Sequence, residues 1–373
     1  MTYLDNGATS FHKPESVYRA VRCAMENCGN PGRGGYPATL AGAKAVLQCR
    51  ERAAAMFHCQ PEQVVMTPSC TFGLNMAIRT LVKPGDRVLI TGFEHNAVTR
   101  PLYALGAEVV VAGRKLFDWA DTLESWEREL KKGVAAAVFT HVSNVFGYIL
   151  PAEELGQLCK RYGVPFIIDA AQSAGMLPLN MDALGADFIA MPGHKGLLGP
   201  MGTGLLLCGR HPSSLLQGGT GTLSMEQRMP DFLPEGAEAG TLNVPGIAGL
   251  AAGIAYLQHT GMDTLFAKQQ QQARRCVRGL EKLGFCVFFG ENQSGTVSFV
   301  PNRDCEEAAE ILAKQGIAVR AGLHCAPLAH QSAGTLQTGT VRISFGHDAE
   351  SWQTGNLLLA AEKITGESQK NHE

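Results

Sequence analysis

The chain has 373 residues, 45% of them hydrophobic, and its 32 basic and 34 acidic side chains give a net charge of −2. This length predicts about two domains with sizeable cores, and the balanced charge gives no support to nucleic-acid binding. No apolar run reaches the roughly 18 residues of a membrane helix, and eleven scattered cysteines without a secretory signal predict reduced thiols in a cytoplasmic protein.

Between residues 60 and 210, short β-rich runs alternate with helical stretches. The predicted strands are Val64–Thr67, Arg87–Thr91, Glu108–Ala112, Ala135–His141, Pro165–Asp169, Asp187–Met191 and Gly204–Cys208. The helical segments between them are Thr71–Val82, Thr99–Leu105, Thr122–Lys132 and Ala152–Tyr162. Strands that alternate with helices of this length predict βαβ units and a mostly parallel sheet.

The texture changes after residue 210. Residues 211–245 are rich in Gly, Pro, Thr and Met and predict irregular chain. Further helices are predicted at 246–259, 262–283, 305–314 and 351–364, and short strands near 286–289, 296–300, 317–320 and 340–345. This pattern predicts a large α/β domain over 15–245 and a smaller α+β domain formed by 1–14 and 246–373.

The strongest local feature is Lys195, which lies between glycines in a turn after the predicted strand DFIAM. Asp169 ends another predicted strand, PFIID, so both residues are expected at one sheet edge. An amine and a carboxylate that meet there suit pyridoxal phosphate, which needs a lysine for its Schiff base and an acid beside its pyridine nitrogen. Taken singly, Lys195 could be a solvated loop lysine and Asp169 a helix N-cap.

Two other segments follow predicted strands. Ser69–Gly73 opens a helix, where free N–H groups and a hydroxyl could bind a phosphate, although an ordinary capped helix start has the same appearance. His95 follows the strand RVLIT and could lie on a flat cofactor ring, or could be a structural histidine.

In their order along the chain, these and other motifs resemble the class V aminotransferase family, and within it the cysteine desulfurases of the SUF and selenocysteine lyase type. The motifs are YLDNGATS at 3–10, NPGRGGY at 30–36, TPSCTFGLN at 67–75, EHNA at 94–97, HVSNVFG at 141–147, DAAQSAG at 169–175, GHKGLLGPMGTG at 193–204, EAGTLN at 238–243, RAGLHCAP at 320–327 and TVRISFG at 340–346. The resemblance implies the fold-type I transferase fold of enzymes that use pyridoxal 5′-phosphate. It has a large α/β domain, built on a seven-stranded mostly parallel sheet, and a smaller α+β domain.

The resemblance also implies roles for individual cofactor-binding residues. Lys195 would form the Schiff base, Asp169 would meet the pyridine nitrogen, and His95 would stack on the ring. Gln172 would bond the phenolic oxygen of the ring. The expected phosphate ligands are the Thr71 hydroxyl, the Cys70 and Thr71 amides, His194, and Thr241 reaching across from the neighbouring subunit of a homodimer.

The substrate carboxylate is expected, by the same resemblance, to bind Asn144 and Arg342. Arg33 and Arg320 are further candidates at the same mouth. Two positions depart from the pattern of the family. Pro192 stands where relatives usually carry a Ser or Thr that donates to the phosphate, and Leu323 stands where SUF-type enzymes usually have a histidine.

Cys325 carries the prediction of function, because a desulfurase needs a thiolate to attack the substrate sulfur and a simple aminotransferase does not. It lies in a segment with His324 and Arg320, two cations that are expected to favour the thiolate. The predicted reaction converts L-cysteine to L-alanine and leaves a persulfide on Cys325 for an unidentified acceptor protein. The alternatives are a selenocysteine lyase, another class V reaction such as transamination or epimerisation, and a catalytically silent scaffold. The His and Cys spacing predicts no metal site.

Overall fold

A computed structural model describes residues 1–32 and 34–366 of the chain. Its strands are β1 (Thr2–Tyr3), β2 (Val64–Thr67), β3 (Arg87–Thr91), β4 (Glu108–Ala112), β5 (Ala136–Thr140), β6 (Phe166–Asp169), β7 (Phe188–Pro192), β8 (Gly204–Cys208), β9 (Cys286–Phe288), β10 (Thr296–Val300), β11 (Ile317–Ala318), β12 (Arg320–Gly322) and β13 (Thr340–Ser344).

The α-helices of the described residues alternate with these strands and continue beyond them. They are α1 (Glu15–Asn27), α2 (Pro37–Phe57), α3 (Cys70–Leu81), α4 (Asn96–Ala104), α5 (Trp119–Leu130), α6 (Ala152–Arg161), α7 (Met181–Leu184), α8 (Val244–Thr260), α9 (Met262–Lys282), α10 (Cys305–Lys314), α11 (Pro327–Ala333) and α12 (Ser351–Gly366). No helix in these ranges is both long enough and apolar enough to cross a membrane.

The large sheet has seven strands in the order β2-β8-β7-β6-β5-β3-β4. The pairs from β7 through β4 are parallel, whereas β8 runs antiparallel to both β7 and β2. Strands β5, β6 and β7 are buried along their whole length, as expected of strands covered by helices on both faces. The prediction of an α/β fold with a seven-stranded, mostly parallel sheet is therefore confirmed.

A second, smaller layer is built around the antiparallel sheet β12-β13-β10-β9. Its core takes apolar side chains from α9, α10 and α12 and from Leu4 near the N-terminus. Strand β1 pairs in parallel with β11, so the start of the chain contributes to this layer. Helix α8 packs against α1 and α2. The division at residues 14 and 245 remains a prediction.

The strand bounds agree closely with the sequence. All seven predicted strands of the large sheet form, each within one residue of its predicted ends. Helices α1, α2, α7 and α11 were not predicted. The carboxyl ends of β3, β5, β6 and β7 lie at the same edge of the sheet, which is where open α/β sheets bind ligands.

Candidate active site

A cleft of about 520 Å³ lies at this edge of the large sheet. Eight residues singled out in the sequence line it together. They are Cys70, Thr71, His95, Asn144, Asp169, Gln172, His194 and Lys195. Pro192 lines the same cleft and has no hydroxyl to offer to a ligand.

A tight turn after β7 carries Lys195 into the cleft. Gly199 N–H donates to Gly193 O at 2.7 Å and closes the turn. Position 193 requires glycine because a Cβ there would lie 2.1 Å from Thr203 Oγ1. Burial, followed by the positive charge of Arg342, lowers the pKa of the Lys195 amine. The neutral amine needed for nucleophilic and base chemistry is therefore more accessible than in a solvated lysine.

Asp169, the last residue of β6, is 2% exposed at the floor of the cleft. Its Oδ1 accepts from Ala171 N–H at 2.9 Å and lies 3.5 Å from Cys70 Sγ. Oδ2 makes no hydrogen bond with the residues that the structure describes, although the side chain lines the cleft. This carboxylate oxygen is available to a cation or N–H group bound in the cleft.

His95 is the N-cap of α4. Its Nδ1 accepts from Ala97 N–H at 3.0 Å, so the neutral ring carries its proton on Nε2. Burial lowers the pKa of the His95 imidazole, which favours this neutral form. Gln172 is held by Gly7 near the N-terminus, since its Nε2 donates to Gly7 O at 2.9 Å.

The start of α3 lies at one end of the cleft and offers free backbone N–H groups to it. Ser69 caps the helix by accepting Phe72 N–H on its hydroxyl at 3.2 Å. The N–H groups of Cys70 and Thr71 belong to the first turn, which has no intrahelical acceptors for them, and the helix dipole adds partial positive charge. His194 lies nearby with Nδ1 at 3.0 Å from Thr9 Oγ1, and burial lowers its pKa to about 4.

Arg342 and Asn144 meet beside the cleft. Arg342 is 1% exposed, and its Nη2 donates to Asp5 Oδ1 at 2.6 Å while its Nη1 donates to Asn144 O at 3.0 Å. Its Nε is buried and finds no partner in the part of the chain that the structure describes. Asp5 thus binds the guanidinium that the sequence assigned to a substrate carboxylate. The Asn144 side chain donates through Nδ2 to His324 O at 2.8 Å.

Cys325 lies in a strained loop at the outer mouth of the site. His324 and Cys325 have φ values of 50° and 57°, in the left-handed region that non-glycine residues avoid. Asn96 N–H donates to Cys325 O at 2.7 Å and holds the loop against α4. Cys325 is exposed and lines a second cleft of about 710 Å³, the outer cleft, which shares Thr71 and His95 with the first, the inner cleft.

The expectation that His324 is a cation beside Cys325 is wrong. The ring is 4% exposed, and its Nε2 donates to Thr340 O at 3.2 Å. Burial, together with the positive charge of Arg342, lowers the pKa of His324 to about 2, so the imidazole is neutral. Arg320 is half-buried on β12, where it pairs across the sheet with Arg342 of β13.

Of the predicted residues that the structure describes, four do not line this cleft: Arg342 and Cys325, placed above, and Arg320 and Thr241. Arg320 is half-buried on β12, outside the cleft lining. Thr241 is exposed and lines a separate cavity, next to the buried ion pair between Arg50 and Glu238. Arg33 lies outside the described residues.

No role was predicted from the sequence for Glu94, which supports the site by linking two strands of the large sheet. Glu94 is fully buried, and its Oε1 accepts from Thr91 Oγ1 at 2.5 Å and from Thr140 N–H at 3.0 Å. It therefore ties the ends of β3 and β5 together, directly before His95. Burial raises the pKa of Glu94 to about 8. An acidic residue within the otherwise uncharged stretch LITGFEHNA was the available signal.

The family model described as aminotransferase class-V matches residues 2–354. A probable cysteine desulfurase of Methanothermobacter thermautotrophicus is 30% identical over 98% of this chain and 94% of its own length. A second probable cysteine desulfurase, from Pyrococcus abyssi, is 32% identical over 92% of this chain and 89% of its own length. Among solved structures, an apo cysteine desulfurase of Thermococcus onnurineus superposes with a TM-score of 0.88 at 30% identity, covering 97% of this chain and 94% of that one.

Proposed function

Because the chain belongs to the aminotransferase class-V family, we propose that it is a cysteine desulfurase that uses pyridoxal 5′-phosphate. It converts L-cysteine to L-alanine and takes the sulfur as a persulfide on Cys325. One observation carries this proposal. Cys325 is exposed in a cleft that shares His95 and Thr71 with the cleft of Lys195 and Asp169.

The residues of the inner cleft fit the cofactor in their chemistry. Lys195 offers an amine for the aldehyde, and Asp169 offers a carboxylate oxygen, Oδ2, without a partner among the described residues. The α3 N-terminus offers N–H groups and the Thr71 hydroxyl to the phosphate, and His95 offers a flat neutral ring. When bound, the cofactor supplies an electron sink for charge that develops at the substrate carbon.

The protein residues perform the remaining work. Lys195 Nζ, whose pKa is lowered by burial, accepts the proton from the substrate Cα. Asn144, which lines the cleft, and the buried Nε of Arg342, which has no partner among the described residues, orient the substrate carboxylate.

Cys325 Sγ then attacks the substrate sulfur. A new S–S bond forms, the Cβ–S bond breaks, and its electron pair stays on Cβ, which takes up a proton to become the methyl group of alanine. The sum is L-cysteine plus the Cys325 thiol giving L-alanine plus the Cys325 persulfide.

The proposed enzyme is a homodimer. Large apolar side chains are exposed on two neighbouring helices, at Tyr18 and Met25 of α1 and at Leu40 and Leu47 of α2. An exposed apolar surface of this kind suits a second copy of the chain. Thr241, exposed in the segment before α8, is proposed to reach the phosphate in the partner subunit. The eleven free thiols support a cytoplasmic location.

Alanine release from L-cysteine, measured with excess reductant, tests the proposal. Cys325→Ser is expected to lose nearly all release, and Lys195→Ala is expected to abolish it. Cys286→Ser is the matched control, because Cys286 is also exposed but lies on β9, away from both clefts. Release that survives in Cys325→Ser contradicts the persulfide step. Activity on selenocysteine alone in that variant would identify a selenocysteine lyase.

A further inference from the structure

The outer cleft beside Cys325 is positively charged. Arg79 and Arg100 line it, both with exposed side chains. Among the residues of 1–32 and 34–366 that line this cleft, none is an aspartate or glutamate. Within the same ranges, neither arginine takes part in a salt bridge. Their charges are therefore directed at solvent or at a bound molecule.

Helix geometry aims the two arginines at the same space. Arg79 follows Thr71 and Asn75 at four-residue intervals on one face of α3, and all three residues line the cleft. Arg100 lies one turn after Asn96, whose backbone N–H holds Cys325 O at 2.7 Å. Two independent helices thus place a guanidinium group on the exposed side of the Cys325 loop.

The first half of the proposed reaction does not use these charges. Arg342 and Asn144 serve the substrate carboxylate, and the start of α3 serves the cofactor phosphate. Arg79 and Arg100 lie outside the inner cleft, on the side from which a second molecule must approach Cys325. Their charges match the second half of the reaction, in which sulfur leaves Cys325.

We propose that the outer cleft binds the sulfur acceptor and that this acceptor is a thiol bearing carboxylate groups. This inference rests on the proposed function for the presence of a persulfide. The acceptor thiolate attacks the outer sulfur of the Cys325 persulfide and forms a new S–S bond. The bond between that sulfur and Cys325 Sγ breaks, and Cys325 leaves as a thiolate. The transfer needs no external oxidant or reductant, and Arg79 and Arg100 bind the carboxylates of the acceptor.

Alkylation tests the charge of the outer cleft without any enzymatic turnover. Iodoacetate and iodoacetamide are similar in size, but only iodoacetate carries a carboxylate. The two alkylation rates at Cys325 are followed by peptide mass spectrometry. Their ratio does not depend on the fraction of Cys325 that is thiolate, because both reagents react with the same thiolate. Arg79→Gln and Arg100→Gln are each expected to lower this ratio about two- to fivefold, the range for exposed ion pairs. Added salt is expected to lower it in the wild type.

The exposed residues Cys23 and Cys286 are internal controls in every sample, since their ratios are expected to stay constant. Arg79→Lys and Arg100→Lys keep the charge and are expected to keep most of the ratio. Arg275→Gln, an exposed arginine of α9, is the control for net charge. A ratio at Cys325 that is equal in wild type and both glutamine variants overturns the proposal, whether or not the protein is a desulfurase.

Sulfur transfer in the loaded enzyme identifies the acceptor. Mercaptosuccinate is expected to have a higher kcat/KM than neutral 2-mercaptoethanol, and the glutamine variants are expected to remove this preference. A peptide in which cysteine is flanked by aspartates distinguishes a protein acceptor from a small-molecule acceptor. If the acceptor is a protein, the kcat/KM for this peptide is expected to exceed that for mercaptosuccinate. If the variants instead raise the KM for L-cysteine and leave the thiol preference intact, the arginines serve the substrate and the proposal is wrong.

Discussion

Asn144 connects the two clefts at the level of single atoms. Its side chain lines the inner cleft, and its Nδ2 donates to His324 O in the loop of Cys325 at 2.8 Å. A carboxamide nitrogen carries two N–H groups, so one can hold the loop while the other remains for a substrate carboxylate. The left-handed φ values of His324 and Cys325 cost on the order of 1 kcal/mol each, so the loop depends on such contacts.

Replacing Asn144 with alanine is expected to loosen the Cys325 loop. The variant loses a hydrogen bond whose net contribution is about 1 kcal/mol, so the backbone amide of Ala326 should exchange its hydrogen about three- to tenfold faster. Hydrogen–deuterium exchange of the peptide spanning 321–328 measures this. Asn75→Ala is the control, because Asn75 lines the outer cleft but, among the described residues, its side chain donates only to Thr71 O within α3. Equal exchange in both variants would show that Asn144 does not hold the loop.

The residues found from the sequence share a property that those missed do not have. Lys195 and His95 follow recognisable strands and Asp169 ends one, and the carboxyl ends of neighbouring parallel strands meet at one edge. The pair between Arg342 and Asp5 joins residues 337 positions apart, which no local pattern indicates. The charge of His324 depends on its burial, so its sequence neighbours were a poor guide to it.

At the scale of elements, α8 supports the turn that carries Lys195. Gly253 of α8 approaches this turn so closely that a Cβ there would lie 2.3 Å from Leu197 O. Leu250, one turn earlier on the same helix, packs against Gly193 and Gly199. The position of Lys195 therefore depends on a helix that follows it by about fifty residues.

Glycine-to-alanine substitutions in two helices are expected to have opposite effects. Gly253→Ala forces a methyl group against a backbone oxygen and should lower the free energy of unfolding by about 1–3 kcal/mol. Gly355→Ala in α12 meets nothing within 4 Å and should raise it by about 0.5–1 kcal/mol, because alanine loses less backbone entropy in a helix. Urea titrations of both variants measure these changes. Gly253→Ala should also bind pyridoxal phosphate more weakly, and two changes of the same sign contradict the argument.

The sequence predicted the strands of the large sheet better than its first helices. The strands are short runs of buried apolar residues with polar ends, and this pattern is visible locally. Helix α1 buries only Val17 and Ala24, and the buried face of α2 consists largely of small residues such as Gly42, Ala53 and Ala54. Helix α2 therefore lacks the wide apolar stripe by which an amphipathic helix is recognised.

At the scale of the whole molecule, buried histidines make the fold sensitive to acid. His141, His324 and His330 are at most 8% exposed, and burial lowers their pKa values to about 4, about 2 and about 4. In the unfolded chain, where histidine pKa values are near 6.5, these side chains bind protons below that pH, whereas in the folded chain they stay neutral to lower pH. The contribution of these three neutral histidines to the free energy of unfolding is therefore fully present above pH 6.5 and is lost as the pH decreases below it. At pH 5 each histidine has lowered the free energy of unfolding by about 2 kcal/mol.

Glu94 acts in the opposite direction. Its pKa is raised to about 8, so the folded chain holds a proton that the unfolded chain releases above about pH 4.5. Glu94 therefore disfavours the folded state increasingly as the pH rises from 4.5 to 8. From pH 7.5 to pH 5, Glu94 raises the free energy of unfolding by about 3 kcal/mol, which offsets half of the roughly 6 kcal/mol lost through the three histidines.

These four groups together are thus expected to make the free energy of unfolding about 3 kcal/mol lower at pH 5 than at pH 7.5. Urea titrations across this range should separate the two contributions through single variants. His330→Gln replaces one buried titrating group and should reduce the acid loss by about 2 kcal/mol, whereas Glu94→Gln removes the opposing group and should increase it by about 3 kcal/mol. Because the two variants shift the slope in opposite directions, a general loss of packing in either one does not imitate the result. Parallel slopes in all three proteins would mean that these groups titrate alike in the folded and unfolded chain.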